Sequence, residues 1–376
     1  MDFSLTEEQK MIRNAARDFR AECPKSMVRE AEAGALGYSP RIWKRMADIG
    51  WSGLVIPEEH GGTGGSLLDL GIVFEELGRA ACPSPLFSTV ALGVLPVMEA
   101  GSADLKKKLL PGVAAGEFIL TAALGEPEAE YDPRSISVRA ASRNGDFSIS
   151  GKKLFVHNAH VANYMLVVAR TAKANHKGEG LTVFVVNGKE PGISLAPLVT
   201  IAADKQFEVV FSGVPASSSD ILGELDAGWP LIETMLSRAT ALKCAEVVGI
   251  MEEELEMSKR HVFERVQFDR QIGSFQAVQH HLANMLIDVE AARWLAYEAL
   301  WCLSEKLPAT REVAAAKAWA SEACQRVATK AQSLHGGIGM DLDYDLHFYF
   351  RRAKAFELNL GSAPLHRSVI ANELAR

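Results

Sequence analysis

The sequence predicts an α+β chain in three blocks. These are an N-terminal helical domain over residues 1–118, a middle antiparallel β domain over 119–225 and a C-terminal four-helix bundle over 226–376. Two changes of period carry this reading. Near Phe118, helical spacing gives way to alternation and β-branched residues; from Trp229 the helical period returns and holds to the end. At 376 residues the chain exceeds one ordinary core and has interior enough to bury a large cofactor.

In the first block, Ser4 with Glu7 and Thr6 with Gln9 offer overlapping capping boxes before the run Ile12, Ala15, Ala16, Phe19. A second run, Ile42, Met46 and Ile49, stops at Gly50, and loops rich in Gly and Pro fall at 57–66 and 82–85. In the second block, strands are expected at 135–138, 147–156, 165–169, 181–186 and 207–211, with turns at Asn144-Gly145 and Asn187-Gly188. In the third, Ala-rich faces over 239–257, 275–304 and 314–334 meet few breakers, which implies a bundle.

A net charge of -7 argues against nucleic acid, whose binders concentrate Lys and Arg. The five scattered cysteines contain no C-x-x-C, so reduced thiols are expected rather than a disulfide framework or a zinc site. His157 with His160, and the pair His280-His281, lack an acidic or Cys partner at compatible spacing, so no metal is expected. The N-terminus mixes charges into its apolar positions, unlike a signal peptide or anchor, and no stretch reaches the roughly 18 apolar residues of a membrane span. A cytoplasmic location without membrane partners is the expectation.

Two C-terminal segments are the most specific: RVQFDRQIGSFQAVQHHLANM from Arg265 and QSLHGGIGM from Gln332. With LTEEQ, GWSGLVIPEEHGGTGGS, FEELGRA, LLPGVAAGEFILTAALGEP and GKKLFVHNA before them in order, the whole chain resembles the acyl-CoA dehydrogenases. That resemblance implies FAD, an acyl-CoA substrate dehydrogenated between its α and β carbons, and an electron-transfer flavoprotein as acceptor. Physically, Arg265 is a fixed charged fork suited to a pyrophosphate, and Gln276 adds amide hydrogen bonds. Alone, that pair would read as solvated surface; Phe268, Gly273 and Phe275 at the family's spacing favour the cofactor reading. Gly336, Gly337 and Gly339 permit close backbone approach to a flat ring. By resemblance, Gln332 and Gly336 line the adenine of a neighbouring subunit's FAD, which implies an oligomer.

The flavin-ring half departs from the family pattern. ALGEP has Gly125 where a hydroxyl is usual, and Phe155, Val156 and His157 stand where an aromatic, an aliphatic and a Thr or Ser are usual. Phe155 remains able to stack, and the amides of Leu124 and His157 to bond the ring edge. His157 either replaces the hydroxyl, joins acid-base chemistry or merely fills the space. The reaction needs a carboxylate to remove the α-proton while hydride leaves to flavin N5. The two positions where the family carries that base hold Leu360 and Ala239.

Glu246 lies seven residues after Ala239, nearly on the same helical face, and is the candidate substitute if its setting is apolar. Glu357 is a weaker candidate. The tail from His335 to Glu357 resembles bacterial members that work as mixed α2β2 assemblies on bulky substrates such as steroid side-chain CoA thioesters. Three functions are carried forward: a subunit completing the FAD site of a second acyl-CoA dehydrogenase-like chain, a self-sufficient homotetramer using Glu246, and a non-catalytic structural paralogue.

Overall fold

A computed structural model of the chain describes residues 4–127, 132–143, 145–173, 176 and 178–375. In order come α1 (Glu7–Phe19), α2 (Lys25–Ala33), α3 (Pro40–Asp48), α4 (Leu67–Ala80), a π-helical stretch (Phe87–Val94), α5 (Leu95–Ala100) and α6 (Ala103–Ala114). Then come β1 (Leu120–Ala123), β2 (Arg139–Arg143), β3 (Asp146–His157), β4 (Tyr164–Arg170), β5 (Leu181–Asn187), β6 (Ile193–Leu198), β7 (Gln206–Ala216) and β8 (Ile221–Leu222). Finally come α7 (Trp229–Glu264), β9 (Val266–Gln267), β10 (Arg270–Gln271), α8 (Gln276–Ser304), α9 (Thr310–His335), α10 (Leu346–Leu358) and α11 (Ala363–Leu374). No described helix is long and apolar enough to cross a membrane.

The chain divides into two compact units, one of which gathers three separate segments: residues through Arg29, Ser66–Cys82 and everything from Thr240 onward. In this helical unit Thr6 caps α1 with a reciprocal bond from Gln9, and Ser66 caps α4 in the same way with Asp69. The axis of the unit is α4, buried along nearly its whole length. It lies against α7 with backbone touching backbone: a Cβ at Gly78 would stand 2.0 Å from the Glu246 carbonyl oxygen, and one at Gly249 would stand 1.8 Å from that of Glu75. Such close packing leaves α4 no solvent face, so its charges are met from inside. Glu75 accepts from Tyr297 Oη (2.7 Å) and Arg293 Nε (3.2 Å), and Glu76 accepts from Arg17 Nε (2.9 Å). Glu252 closes the network on Arg79 and Arg293.

The other unit comprises Glu30–Gly65 and Pro83–Ala239. Its sheet runs β6-β7-β3-β2-β4-β5-β8, with β1 paired to β4. The ladders are largely antiparallel, as expected, but β1 joins β4 in parallel, Leu120 opposite Tyr164. Val138, Ile149, Val156, Val167, Phe184 and Phe211 belong to its core. The strand expected at 135–138 is displaced: Pro133–Ser135 forms a 3-10 turn, whose helical φ Pro133 favours, and the ladder begins at Arg139. In the expected turn at Asn144-Gly145, Asn144 lies outside the described residues, while Gly145 has φ +90° between the paired Arg143 and Asp146.

Candidate active site

The candidate ring-binding residues stand together in the sheet unit where β1 ends beside β3. Leu154 N–H donates to Gly125 O at 2.8 Å. A Cβ at Gly125 would stand 2.9 Å from the Leu154 carbonyl oxygen, so the family's larger residue would need this contact to open. Strict alternation from Phe147 and Ile149 would turn Phe155 into the core. Instead the β3–β7 register shifts between Lys153 and Val156, and Phe155 adopts φ +56°. This irregularity returns Val156 to the core and leaves Phe155 61% exposed, its ring free to face a ligand. A left-handed conformation is costly for an aromatic residue, which makes Phe155 a candidate functional position.

His157 is held by contacts on several sides. Its Nδ1 lies 3.5 Å from Asp204 Oδ2, its ring meets Phe87 edge-on with centroids 6.0 Å apart, and its carbonyl accepts from Thr121 Oγ1 at 2.6 Å. The neighbouring Asn158 donates from Nδ2 to Ser88 Oγ at 3.0 Å, so the π-helical stretch and the end of β3 brace each other.

Sequence reasoning missed what holds this strand end. Lys153 and Glu126 form an ion pair at 2.6 Å with both side chains sealed from solvent. Glu126 also accepts from Ser137 N (2.7 Å) and Val138 N (3.2 Å), and Lys153 Nζ donates to Leu124 O at 3.2 Å. Burial drives the Lys153 ammonium down to about 8, only partly countered by Glu126. For Glu126 burial acts upward, yet Lys153 and the Ser137 bonds hold its carboxyl below the usual carboxylate range. The signal was legible: the alternation that would bury Phe155 also places Lys153 inward, and an inward Lys calls for a buried acid.

The pyrophosphate and adenine candidates stand together in the helical unit. Arg265 follows α7, and its carbonyl accepts from Ile272 N–H at 2.9 Å, closing the loop that carries the β9–β10 ribbon. The two-residue turn of that ribbon is Phe268-Asp269, with φ +54° and +60°, the primed-turn geometry that usually calls for Asn or Gly. Phe268 is 86% exposed, and Arg265 and Gln276 are also exposed. At the end of α9, Gly336 turns the chain with φ +65°, and neither Gly336 nor Gly337 has anything within 4 Å of the place a Cβ would occupy. His335 stacks on His261 with centroids 4.4 Å apart, which brings the ends of α7 and α9, and so both candidate groups, side by side. The Gln332 carboxamide oxygen is buried with no partner among the described residues. That oxygen faces Gly339, where a Cβ would stand 2.1 Å from it, and so is turned inward from the open Gly336-Gly337 turn.

The base positions are apolar, as the sequence has it, but the backbone at one of them keeps an uncommon form. Leu360 adopts φ +56° and the following Gly361 +90°. His366 Nε2 donates to Leu360 O at 2.9 Å, and a Cβ on Gly361 would strike Leu365 at 2.6 Å. Ala239 is fully buried. Glu246 does not have the apolar setting expected of a substitute base: its carboxylate accepts a hydrogen bond from Lys243 Nζ in a 2.6 Å ion pair one turn away on the same helix. Glu357 is likewise engaged by Lys354 Nζ at 2.8 Å. Glu254, which the sequence did not single out, is sealed in the unit with neither oxygen partnered among the described residues, and burial pushes its carboxyl well above the usual range. Sealing also keeps it from any substrate. No cluster able to hold a metal ion occurs among the described residues.

Comparison with known proteins accounts for this arrangement. Profiles of the acyl-CoA dehydrogenase N-terminal, middle and C-terminal domains match residues 6–117, 121–214 and 226–375. Acyl-CoA dehydrogenase FadE27 of Mycobacterium tuberculosis is 31% identical over 100% of this chain and 99% of its own length. Among solved structures, butyryl-CoA dehydrogenase from Megasphaera elsdenii superposes with a TM-score of 0.93 at 28% identity, covering 100% of both chains. A chain of the ChsE4-ChsE5 complex from Mycobacterium tuberculosis superposes with a TM-score of 0.91 at 30% identity, covering 100% of this chain and 99% of that one.

Proposed function

We propose that this chain, which belongs to the acyl-CoA dehydrogenase family of FAD-dependent oxidoreductases, acts as the subunit that completes a flavin site seated mainly on a second, related chain. The observation that carries this reading is an asymmetry. Arg265, Gln276, Gln332, Gly336 and Gly337 stand at one end of the helical unit, with Arg265 and Gln276 exposed and the glycine turn open. The hydroxyl near Gly125, the hydroxyl at His157 and the carboxylate at Leu360 are absent. Neutral decay would not be expected to spare one half of a site while eroding the other.

When bound, the flavin would supply the acceptor for the β-hydrogen, which leaves as hydride. This chain's part would be to bind and orient: the Arg265 fork would pair with pyrophosphate charge, Gln276 would supply amide bonds, and Gln332 with the Gly336-Gly337 turn would receive the adenine. The base that removes the α-proton then belongs to the partner chain. The ChsE4-ChsE5 complex, a named pair of chains, is similar to this one over its whole length. A steroid acyl-CoA dehydrogenase variant is also similar, with a TM-score of 0.87 and 30% identity. Both support a mixed tetramer acting on a bulky acyl-CoA such as a steroid side-chain thioester, with an electron-transfer flavoprotein as acceptor. The self-sufficient alternative rests on Glu246, and the Lys243 ion pair weighs against it.

The test is to mix Arg265→Ala with a catalytic partner chain and measure bound flavin and turnover. Leaving pyrophosphate charge unpaired costs on the order of 2 to 4 kcal/mol of FAD affinity, so the mixture should lose flavin and rate together. Undiminished flavin content and rate would remove this chain from the site. Flavin binding and turnover by the unmixed chain would instead favour the homotetramer.

A further inference from the structure

The helical unit brings two thiols into contact from distant parts of the chain: Cys23 Sγ and Cys82 Sγ are 3.1 Å apart, with 59 positions between them in sequence numbering. They are not joined in a disulfide. Backbone bonds fix both ends of the contact. Cys23 N–H donates to Arg20 O at 3.0 Å as the 3-10 turn after α1 closes, and Cys82 N–H donates to Leu77 O at 3.1 Å just past Ala81, whose φ of +51° stops α4. A proline follows each cysteine, so neither segment continues as helix through the contact.

The surroundings differ for the two sulfurs. Cys23 lines an open cavity of about 350 Å³ together with Arg17, Arg20, Lys25, Arg79 and Tyr349. Cys82 does not line it. The hydrogen bond with Cys23 and burial raise the Cys82 thiol well above its ordinary value, against the opposing charge of Lys25 and Arg352. Cys23 is buried and Cys82 half-buried, but Cys23 is the sulfur that lines the cavity, so a small solute entering there reaches it first. Lys25 Nζ, fixed by Ala80 O at 2.6 Å and Tyr349 Oη at 2.5 Å, supplies the positive charge that favours a thiolate.

We propose that Cys23 and Cys82 form a peroxide-oxidisable dithiol, a modification site separate from the flavin elements, with Cys23 as the attacking sulfur and Cys82 as the resolving one. The Cys23 thiolate attacks one oxygen of a hydroperoxide; the O–O bond breaks, the leaving oxygen takes a proton and departs as water or alcohol, and Cys23 becomes a sulfenic acid. Cys82 then attacks that sulfur, the S–O bond breaks, and the hydroxide takes the Cys82 proton and leaves as water. Two electrons pass from the sulfur pair to the peroxide, and the product is an intramolecular disulfide tying the α1–α2 junction to the end of α4.

The full-length chain is treated with hydrogen peroxide, its remaining thiols are alkylated in denaturant, and its peptides are mapped. Two of the five thiols should disappear, the mass should fall by two hydrogens, and a peptide linking Cys23 to Cys82 should appear and be reversed by dithiothreitol. In Cys82→Ser a sulfenic acid on Cys23 should be trapped by dimedone, whereas Cys23→Ser should leave Cys82 unlabelled. Five surviving thiols, a link between chains or through Cys244, Cys302 or Cys324, or dimedone on Cys82 would overturn the assignment.

Discussion

At Leu360 the backbone is left-handed although the side chain carries no acid. A leucine gains nothing from φ +56° that an ordinary turn would not provide, yet His366 still holds its carbonyl and Gly361 still leaves room for the following helix. With Leu360 and Ala239 at the positions expected to carry the base, proton removal would fall to another group, and Glu246, tied to Lys243, is poorly placed to replace it. With its carboxylate bound to Lys243 and its backbone carbonyl pressed on Gly78, Glu246 reads as part of the α4–α7 contact. Glu246→Gln, assayed in the active mixture with a partner chain, should therefore retain most of the dehydrogenase rate. A collapse of kcat with substrate KM unchanged would instead identify Glu246 as the base.

At the scale of elements, the end of β3 and the end of α10 are each held by a buried lysine. Lys153 and Glu126 clamp β3 to the end of β1 behind Phe155, so Lys153→Met strands a sealed carboxylate. Breaking such a pair costs about 3–5 kcal/mol, whereas the double variant with Glu126→Gln should recover part of that loss in urea denaturation. Lys317, inside the helical unit, donates to Ser321 Oγ (2.8 Å) and to Phe356 O (2.7 Å), fixing the last turn of α10 just ahead of Leu360. Burial lowers its ammonium to about 8 from an ordinary 10.5. The unfolded chain thus binds this proton more tightly, and the destabilisation is full below about pH 8 and lifts as pH rises toward the unfolded value. Measured against Lys317→Met, the parent should gain unfolding free energy between pH 7 and about pH 10. A constant difference across that range would mean that the Lys317 ammonium holds its proton as tightly in the folded protein as in the unfolded chain.

The elements legible in the sequence were those with long periods. The three Ala-rich helices and the run from Phe147 to Val156 appear where expected. Short β8 and the exposed alternation of β6 carry too few apolar positions to stand out, and β1 is a four-residue buried run that periodicity cannot classify. The site was legible as motif and not as geometry. Arg265, Gln332 and Gly336 announce themselves by spacing, but the outward turn of Phe155 depends on a register shift against β7, a partner some 50 residues away that the local pattern cannot report.

At the scale of the whole molecule, two families of contacts are expected: those within this chain and those it lends to another. If the ring-binding half of each flavin site belongs to the partner, one flavin should be bound per pair of unlike chains. Absorbance titration of a purified mixed tetramer should then read two flavins per four chains, and four would mean that this chain seats a ring of its own. The segment order of the helical unit has a further consequence, for how the protein is made. Glu75 on α4 meets Arg293 218 residues later. At ribosomal rates of about 5–20 residues per second, that interval is on the order of 10 to 40 s. For most of it the nascent α4 lacks the α7 backbone it packs against, and for all of it Glu75 lacks Arg293. The sheet unit can mature on the ribosome while the helical unit waits, and the waiting helix is the segment a chaperone would be expected to hold.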